Sequence, residues 1–432
     1  MVFRYILIIV LSSILWCQSY FDRALDSNSL HGSARSIGMA SLNIIDQSVF
    51  SSIYSPAKLA ASKQGIHFEI YLDNRSTIER RSINVKDYFG DYLTSSDYVV
   101  NRNSYIDFNG GLSFGKGKNY FSISKIRLSS FNYNYIEEVH GKYSLDDGEI
   151  GNKDPISGFH NMKITGSVES LSLGYSRSTR FIDFGFGFHN VYSLPISESL
   201  YIDTLSTNND NLAGAVTHDA SYSTDMSMMV SLGVNIKIID KINLLFSYRR
   251  SLFQSVSGQG AQFFFDDSGI VSHTYVNDNG VVNFIGNKIL YIPPKVMSAG
   301  MEFAPKSIND IIIGIEYDLF SKSFTYFDSN INTTRVDKSK FRLGLGVEYN
   351  RDGTAFRSGL SYSSQYFTSL NPTSIFSIGL GKKFANINYD FGIQYQINTF
   401  MFPDMFPASN NIPLGYENIN ESSLLFTLGI KY

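Results

Sequence analysis

The side chains that carry most enzymatic chemistry are thinly spread in this chain of 432 residues. Its single cysteine, Cys17, lies in an apolar N-terminal stretch. The seven histidines, His31, His67, His140, His160, His189, His218 and His273, include no pair at a chelating spacing. Zinc-protease and phosphate-loop signatures are absent. His189 shares a strand parity with Asp183 and is the one hint of an acid–base pair, for which a solvated histidine is the plainer reading. The expectation is a protein that is not an enzyme, with no cofactor, no metal and no catalytic residue. The ionisable residues that do recur share one parity of their segments: Glu69, Asp107, Asp183, Arg249, Glu316, Asp318, Arg342, Glu348, Arg357 and Asp390. Carboxylates and arginines on one face neutralise one another and anchor what stands between them; otherwise they hold a polar headgroup or line a water path.

The elements that present these residues alternate with period two. In IIIGIEYDLF, residues 311–320, Ile311, Ile313, Ile315, Tyr317 and Leu319 fall on one parity, and Gly314, Glu316 and Asp318 on the other. In FRLGLGVEY, residues 341–349, the apolar set alternates with Arg342, Gly344, Gly346 and Glu348. INYDFGIQYQI, residues 387–397, repeats the pattern with Asp390 and Gly392 on the polar side. Successive side chains of a strand point to opposite faces, so each segment has an apolar face and a polar, glycine-rich one.

About fourteen such segments begin near residues 66, 104, 118, 163, 180, 222, 241, 291, 310, 337, 354, 372, 386 and 420. They exceed the ~5–6 residues usual for globular strands and suit a bilayer crossing. Tight turns alternate with long polar connections at 76–103, 129–162, 193–221, 255–290, 322–335 and 401–421. Short turns on one rim and long loops on the other define an outer-membrane barrel, whose apolar outer face meets lipid. The fold class is thus all-β: a transmembrane outer-membrane β-barrel of about fourteen antiparallel strands spanning 66–432. Residues 1–19, with Arg4 before an apolar core, read as a signal peptide and place the mature chain in the outer membrane of a Gram-negative-type bacterium. The last segment, which ends on aromatic Tyr432, resembles the C-terminal signal of outer-membrane proteins, and that resemblance implies a barrel-assembly machinery as partner. The net charge of −3 with no basic run argues against nucleic acid.

Residues 20–65 precede the first strand, and 35–60 lack alternation while remaining mildly apolar. Gly38 permits a bend and Pro56 opens a short helix. The stretch is too apolar to stay unfolded in water, and a barrel of this size needs a filler, so it is expected to plug the lumen. It resembles the N-terminal hatch of the FadL-type outer-membrane transporter family and the related PorV/PorQ group, matching at Ala34, Arg35, Gly38, Met39, Asp46, Tyr54, Pro56, Ala57, Leu59 and Ala60. It departs from that pattern at Ala40, Ser55 and Lys58, and Ser55 replaces the most diagnostic residue, an asparagine. The resemblance implies passive uptake of a hydrophobic or amphiphilic small-molecule ligand, fatty-acid-like, past a hatch and out through a gap where a strand kinks. For the PorV/PorQ group it implies instead a non-pore shuttle whose partner is an exported protein or secretion system.

The parity of apolar residues breaks in two adjacent segments, around Ser124 and Lys125 and around Glu169 and Ser170. One extra residue would restore each face, so a β-bulge opening a lateral exit between the third and fourth strands is expected, with a flat rim as the alternative.

Overall fold

The computed structural model describes residues 32–62, 64–140, 156–205, 212–224, 227–239, 241–252, 256–258, 264–265, 271–272, 294–305, 310–327, 333–365, 371–403 and 416–432. The expected signal peptide and the first part of the expected plug, 20–31, lie outside the described residues. Two short helices, α1 (Ala34–Gly38) and α2 (Ser51–Tyr54), and a 3-10 turn, Pro56–Ala61, precede the strands. The strands run β1 (Gly65–Lys86), β2 (Tyr92–Lys116), β3 (Asn119–Ser130), β4 (Tyr133–His140), β5 (Ile156–Thr165), β6 (Ser167–Ser178) and β7 (Ile182–Ser193). Then come β8 (Ile196–Leu205), β9 (Leu212–Thr224), β10 (Ser227–Ile239), β11 (Ile242–Ser251), β12 (Val256–Gly258), β13 (Phe264–Phe265) and β14 (Val271–Ser272). The last are β15 (Lys295–Phe303), β16 (Ile311–Phe327), β17 (Thr333–Arg351), β18 (Thr354–Ser363), β19 (Thr373–Phe384), β20 (Ile387–Pro403) and β21 (Tyr416–Lys431).

Fourteen of these close into one antiparallel barrel in the order β1-β2-β3-β6-β7-β10-β11-β15-β16-β17-β18-β19-β20-β21, each matching a segment read from the alternation. Closure joins β1 to β21 from Glu69↔Lys431 to Ser82↔Asn418. The terminal Tyr432 extends that ladder: its N–H donates to Phe68 O at 2.9 Å, and Phe68 N–H donates to Tyr432 O at 3.0 Å. The apolar parity faces outward. Ile66, Phe68 and Ile70 on β1, Leu171 and Leu173 on β6, and Phe376, Ile378 and Leu380 on β19 are exposed, whereas Glu69, Asp73, Ser172, Ser377 and their neighbours are buried in the lumen. An outward apolar belt on a closed barrel, which leaves no edge unpaired, is the form in which strands cross a bilayer. Among the described residues no helix is long and apolar enough to do so.

The expected long loops are in large part strands. β1 and β2 stay paired to Lys86↔Tyr92, and β16 and β17 to Phe327↔Thr333. On the other side, β4, β5, β8, β9 and β12 form a separate sheet in the order β12-β9-β8-β5-β4, continuing the barrel strands beyond a bend. Polar residues such as Ser, Asn and Tyr occupy both parities there, so the pairing left no alternation to read. The bend is sharpest at Gly166, with φ of 144°, where an added Cβ would lie 2.7 Å from Ile196 Cα.

Candidate functional site

The N-terminal segment occupies the lumen and builds itself from short polar bonds. Ser33 caps α1, its Oγ accepting from Ser36 N at 3.1 Å. Asp46 then ties the segment together, accepting from Ser33 Oγ at 2.7 Å and Ser48 Oγ at 2.6 Å. The chain reverses at Ala40 and Ser41, both in the left-handed region with φ of 58° and 61°. Gly38, Met39, Asp46, Pro56 and Ala57 of the hatch-like motif are all buried, and Met39, Leu42, Ile44 and Ile45 cluster on Leu245 of β11. Ser55 Oγ, at the position where the pattern has asparagine, is buried with no hydrogen-bond partner among the described residues.

Two ion pairs and one charged cluster of the wall, which bonds to the plug backbone, fasten this plug to the wall. Arg35 Nε lies 2.8 Å from Glu348, which also takes Arg357 at 2.6 Å, and Arg357 in turn holds Asp390 at 2.6 Å. Lys58 Nζ lies 2.7 Å from Glu302, whose other oxygen accepts from Asn243 at 3.0 Å. Arg342 bridges Glu316 and Asp318 at 2.9 and 2.5 Å and donates to Ser41 O at 2.8 Å, while Glu316 accepts from Ile44 N at 3.1 Å. Such pairs are costly to break singly, because the remaining charge stays buried. Smaller contacts fill in: Ser231 Oγ donates to Ser52 O at 2.6 Å, Ala40 N to Ser377 Oγ at 2.6 Å, and Ser41 Oγ to Gln394 Oε1 at 2.8 Å. Asp183 does not meet the plug. It takes Lys237 at 2.6 Å and Ser178 Oγ at 2.8 Å, pinning the short turn below β6 and β7. His189 does not meet Asp183 either; its Nε2 lies 2.8 Å from Ser231 Oγ, within the plug contact.

Sequence reasoning passed over Lys58, which it met only as a departure from a pattern, and Glu302, Ser231, Ser377 and Gln394. The glycines on the lumen parity were the available signal. An added Cβ at Gly379 would sit 2.9 Å from Gly38 Cα, and at Gly359 2.5 Å from Met39 C. Replacing Lys58 by methionine is expected to lower stability by about 3–5 kcal/mol, the cost of removing one partner from a buried ion pair, since Glu302 is left with Asn243 alone. The urea midpoint of the folded barrel checks this, and adding Glu302→Gln should recover part of the loss.

Above the anchors a small cavity of about 30 Å³ is lined by Asn43, Ile53, Tyr54, Arg249, Val296 and Phe320, with Glu316, Asp318 and Arg342 at its floor. Arg249 stacks over the Tyr54 ring at 5.1 Å, and its Nη1 is buried with no hydrogen-bond partner among the described residues. The floor carboxylates are already engaged by Arg342, so this donor faces a mixed wall in which Ile53, Val296 and Phe320 stand beside Ser247 and Ser298. That combination suits a small anionic group with an apolar body.

The wall itself is interrupted. The β2–β3 ladder stops at Gly110↔Lys125, while β2 remains paired with β1 up to Tyr92. Above that point side chains span the seam: Asn109 Oδ1 accepts from Arg127 N at 2.8 Å, and Arg127 pairs with Asp107. An irregularity between the third and fourth strands is also present, a little higher than Ser124 and Lys125. Ser124 and Lys125 pair in register with Ser172 and Leu171, Ile126 with Ser170 and Arg127 with Glu169; the shift comes higher, between Arg127 and Ser129, and the ladder resumes. Around Ser124 the parity breaks where the outward face turns polar, with Lys125 3.0 Å from Glu169 and Tyr192 Oη donating to Glu169 at 3.1 Å, and just above it the register shifts between Arg127 and Ser129.

The structure defines an outer-membrane type of fold: a closed fourteen-stranded antiparallel barrel with an N-terminal segment inside its lumen. The comparisons place the chain in the fold of the FadL-type transporters. A Pseudomonas aeruginosa FadL homologue superposes with a TM-score of 0.59 at 13% identity, covering 93% of this chain and 98% of its own. The P. putida toluene transporter TodX gives 0.54 at 14% identity over 93% and 98%. The monoaromatic hydrocarbon channel CymD gives 0.53 at 12% identity over 94% and 98%. No family model and no curated protein matches the sequence.

Proposed function

We propose that the chain mediates passive uptake of hydrophobic or amphiphilic small molecules across the outer membrane of a Gram-negative-type bacterium. One observation carries the reading: a plug sits in the lumen, held by two ion pairs to the wall and by Arg342 at Ser41 O, while the backbone ladder between β2 and β3 ends above Gly110 and Lys125. A solute entering from the side of the extra sheet meets the Arg249 cavity first and then leaves sideways between β2 and β3, past Arg127. The solved neighbours include a toluene transporter and a monoaromatic hydrocarbon channel, which favours apolar cargo. The free Arg249 donor adds a preference for an acidic head, so a fatty-acid-like amphiphile fits better than a neutral arene.

The test is organic extraction and mass spectrometry of protein purified in mild detergent, followed by binding of a medium-chain fatty acid and of the matching alcohol. A roughly stoichiometric apolar ligand is expected. Arg249→Met should weaken the acid about 10- to 100-fold and leave the alcohol nearly unchanged, as loss of a charge-assisted hydrogen bond implies. Failure to bind either probe, with no extracted small molecule, would remove the uptake reading.

A further inference from the structure

Where the apolar belt ends at the short-turn rim, cations take over the outward parity. On β2 that parity ends Leu112, Phe114, Lys116; on β3 it begins Asn119, Phe121, Ile123; on β6 it ends Leu173, Tyr175, Arg177. The register sets the polar residue of each strand in one row, Lys116↔Asn119↔Arg177. Neighbouring strands lie ~4.8 Å apart, so the two cations flank Asn119 with their Cα atoms about 10 Å from one another. Lys116 and Arg177 are exposed, and Asn119 is half-buried.

Nothing nearby neutralises this row. Segments 110–125 and 170–182 contain no aspartate or glutamate, and among the described residues neither Lys116 nor Arg177 meets a carboxylate. The two adjoining turns add Lys118 and Arg180, both exposed, and Ser178 N ties the turns together by donating to Lys118 O at 2.8 Å. Arg180 covers the Phe181 ring at 5.1 Å. Asn119 is oriented from the belt side: Tyr175 Oη donates to its Oδ1 at 3.0 Å, which leaves the Nδ2 donors for an acceptor outside the wall. Tyr175 in turn packs on Phe121 with ring centroids 5.2 Å apart, and Ile123 and Leu173 continue the exposed apolar face.

The same rim holds a second row of this form, Arg351, Thr354 and Lys382 across β17, β18 and β19. Its charge is already engaged. Arg351 lies 3.7 Å from Asp352, and Lys382 Nζ donates to Thr354 Oγ1 at 2.7 Å and to Asp352 O at 3.3 Å. Of the two, only the Lys116 row sets an amide donor between cations that have no carboxylate partner among the described residues.

Two cations and an amide donor at the edge of a lipid-facing aromatic belt fit a phosphodiester whose apolar chains run up the belt. The short turns of an outer-membrane barrel face the periplasm, so the lipid concerned is that of the inner leaflet. We propose that Lys116, Asn119 and Arg177 bind the phosphate of an anionic glycerophospholipid there, with its acyl chains along Phe121, Ile123 and Leu173. A zwitterionic headgroup brings its own ammonium against the two cations and binds less well. The proposal goes beyond the uptake reading and does not depend on what passes through the lumen.

Native mass spectrometry of the full protein in nonionic detergent, titrated with dioleoyl phosphatidylglycerol or dioleoyl phosphatidylethanolamine, tests the site. The unaltered protein is expected to retain one phosphatidylglycerol about tenfold more tightly than phosphatidylethanolamine. Lys116→Gln combined with Arg177→Gln should weaken phosphatidylglycerol at least about tenfold, as loss of charge-assisted bonds implies, and leave phosphatidylethanolamine nearly unchanged. Arg351→Gln combined with Lys382→Gln removes the same charge from the other row and should change little. The urea midpoints of all three proteins should agree, since neither row holds the barrel together. Equal retention of the two lipids by the unaltered protein would overturn the proposal. So would an equal loss in both double variants, because the attraction would then belong to the summed charge of the rim and not to a site.

Discussion

Arg342→Ala should be the most damaging single change at the plug, lowering stability by at least about 3–5 kcal/mol, the cost of removing one partner from a buried ion pair. Arg342 is only 2% exposed and serves two carboxylates, so its loss strands both Glu316 and Asp318. It also removes a donor from Ser41 O, at the reversal where Ala40 and Ser41 already hold left-handed backbone that non-glycine residues adopt at a cost. The chain should therefore unfold at a lower urea concentration, and protease should cut within 35–60 before the barrel opens. Arg342→Lys should recover only part of the loss, because a single ammonium cannot fork to two carboxylates and a carbonyl. The combination of Arg342→Met with Glu316→Gln and Asp318→Asn should be milder than Arg342→Ala alone, since no bare charge remains. An Arg342→Ala midpoint matching that of the unaltered chain would mean the plug is held by packing and not by this anchor.

The barrel was legible because a bilayer imposes a rule on sequence: one parity must be apolar wherever lipid touches the wall. Ile311, Ile313, Ile315 and Tyr317 obey it, and so does every other strand at belt height. Above the belt the rule lapses. In 76–86, Arg80 and Arg81 are neighbours on opposite faces with different fates, one exposed and the other buried, and nothing in their types separates them. The five-stranded sheet beyond the barrel was unreadable for that reason. The plug was legible as a segment of unusual polarity, but its partners were not, since Lys58 finds Glu302 and Arg35 finds Glu348 across hundreds of residues of chain. Spacing carries no record of such contacts. The irregularity expected at Ser124 and Lys125 lies slightly higher on β3, because a parity break records only that an outward face is not apolar. It does not record whether the cause is an inserted residue or a charged cluster such as Lys125 and Glu169.

The glycines on the lumen parity carry the remaining information, and Gly185→Val tests it. A Cβ at Gly185 would lie 2.2 Å from Pro56 C, 2.4 Å from Pro56 O and 2.5 Å from Ala57 N. All three are backbone atoms of the plug, so no flexible side chain can move aside. Overfilling a packed site costs about 1–3 kcal/mol when neighbours can shift, and here the plug must leave its seat or the strand must bend. Expulsion is the cheaper response, because the wall ladders on both sides of Gly185, to Ser176 and to Gly233, are continuous. A barrel of fourteen strands without its filler leaves an open lumen. Vesicles carrying Gly185→Val should therefore leak a small hydrophilic dye that the unaltered protein retains. Phe186→Leu, one residue away on the lipid face, should leave both the seal and the urea midpoint nearly unchanged. If Gly185→Val stays sealed and equally stable, close backbone approach is not what those glycines are for; if it leaks with the barrel intact, the glycine parity is the imprint of the plug upon the wall.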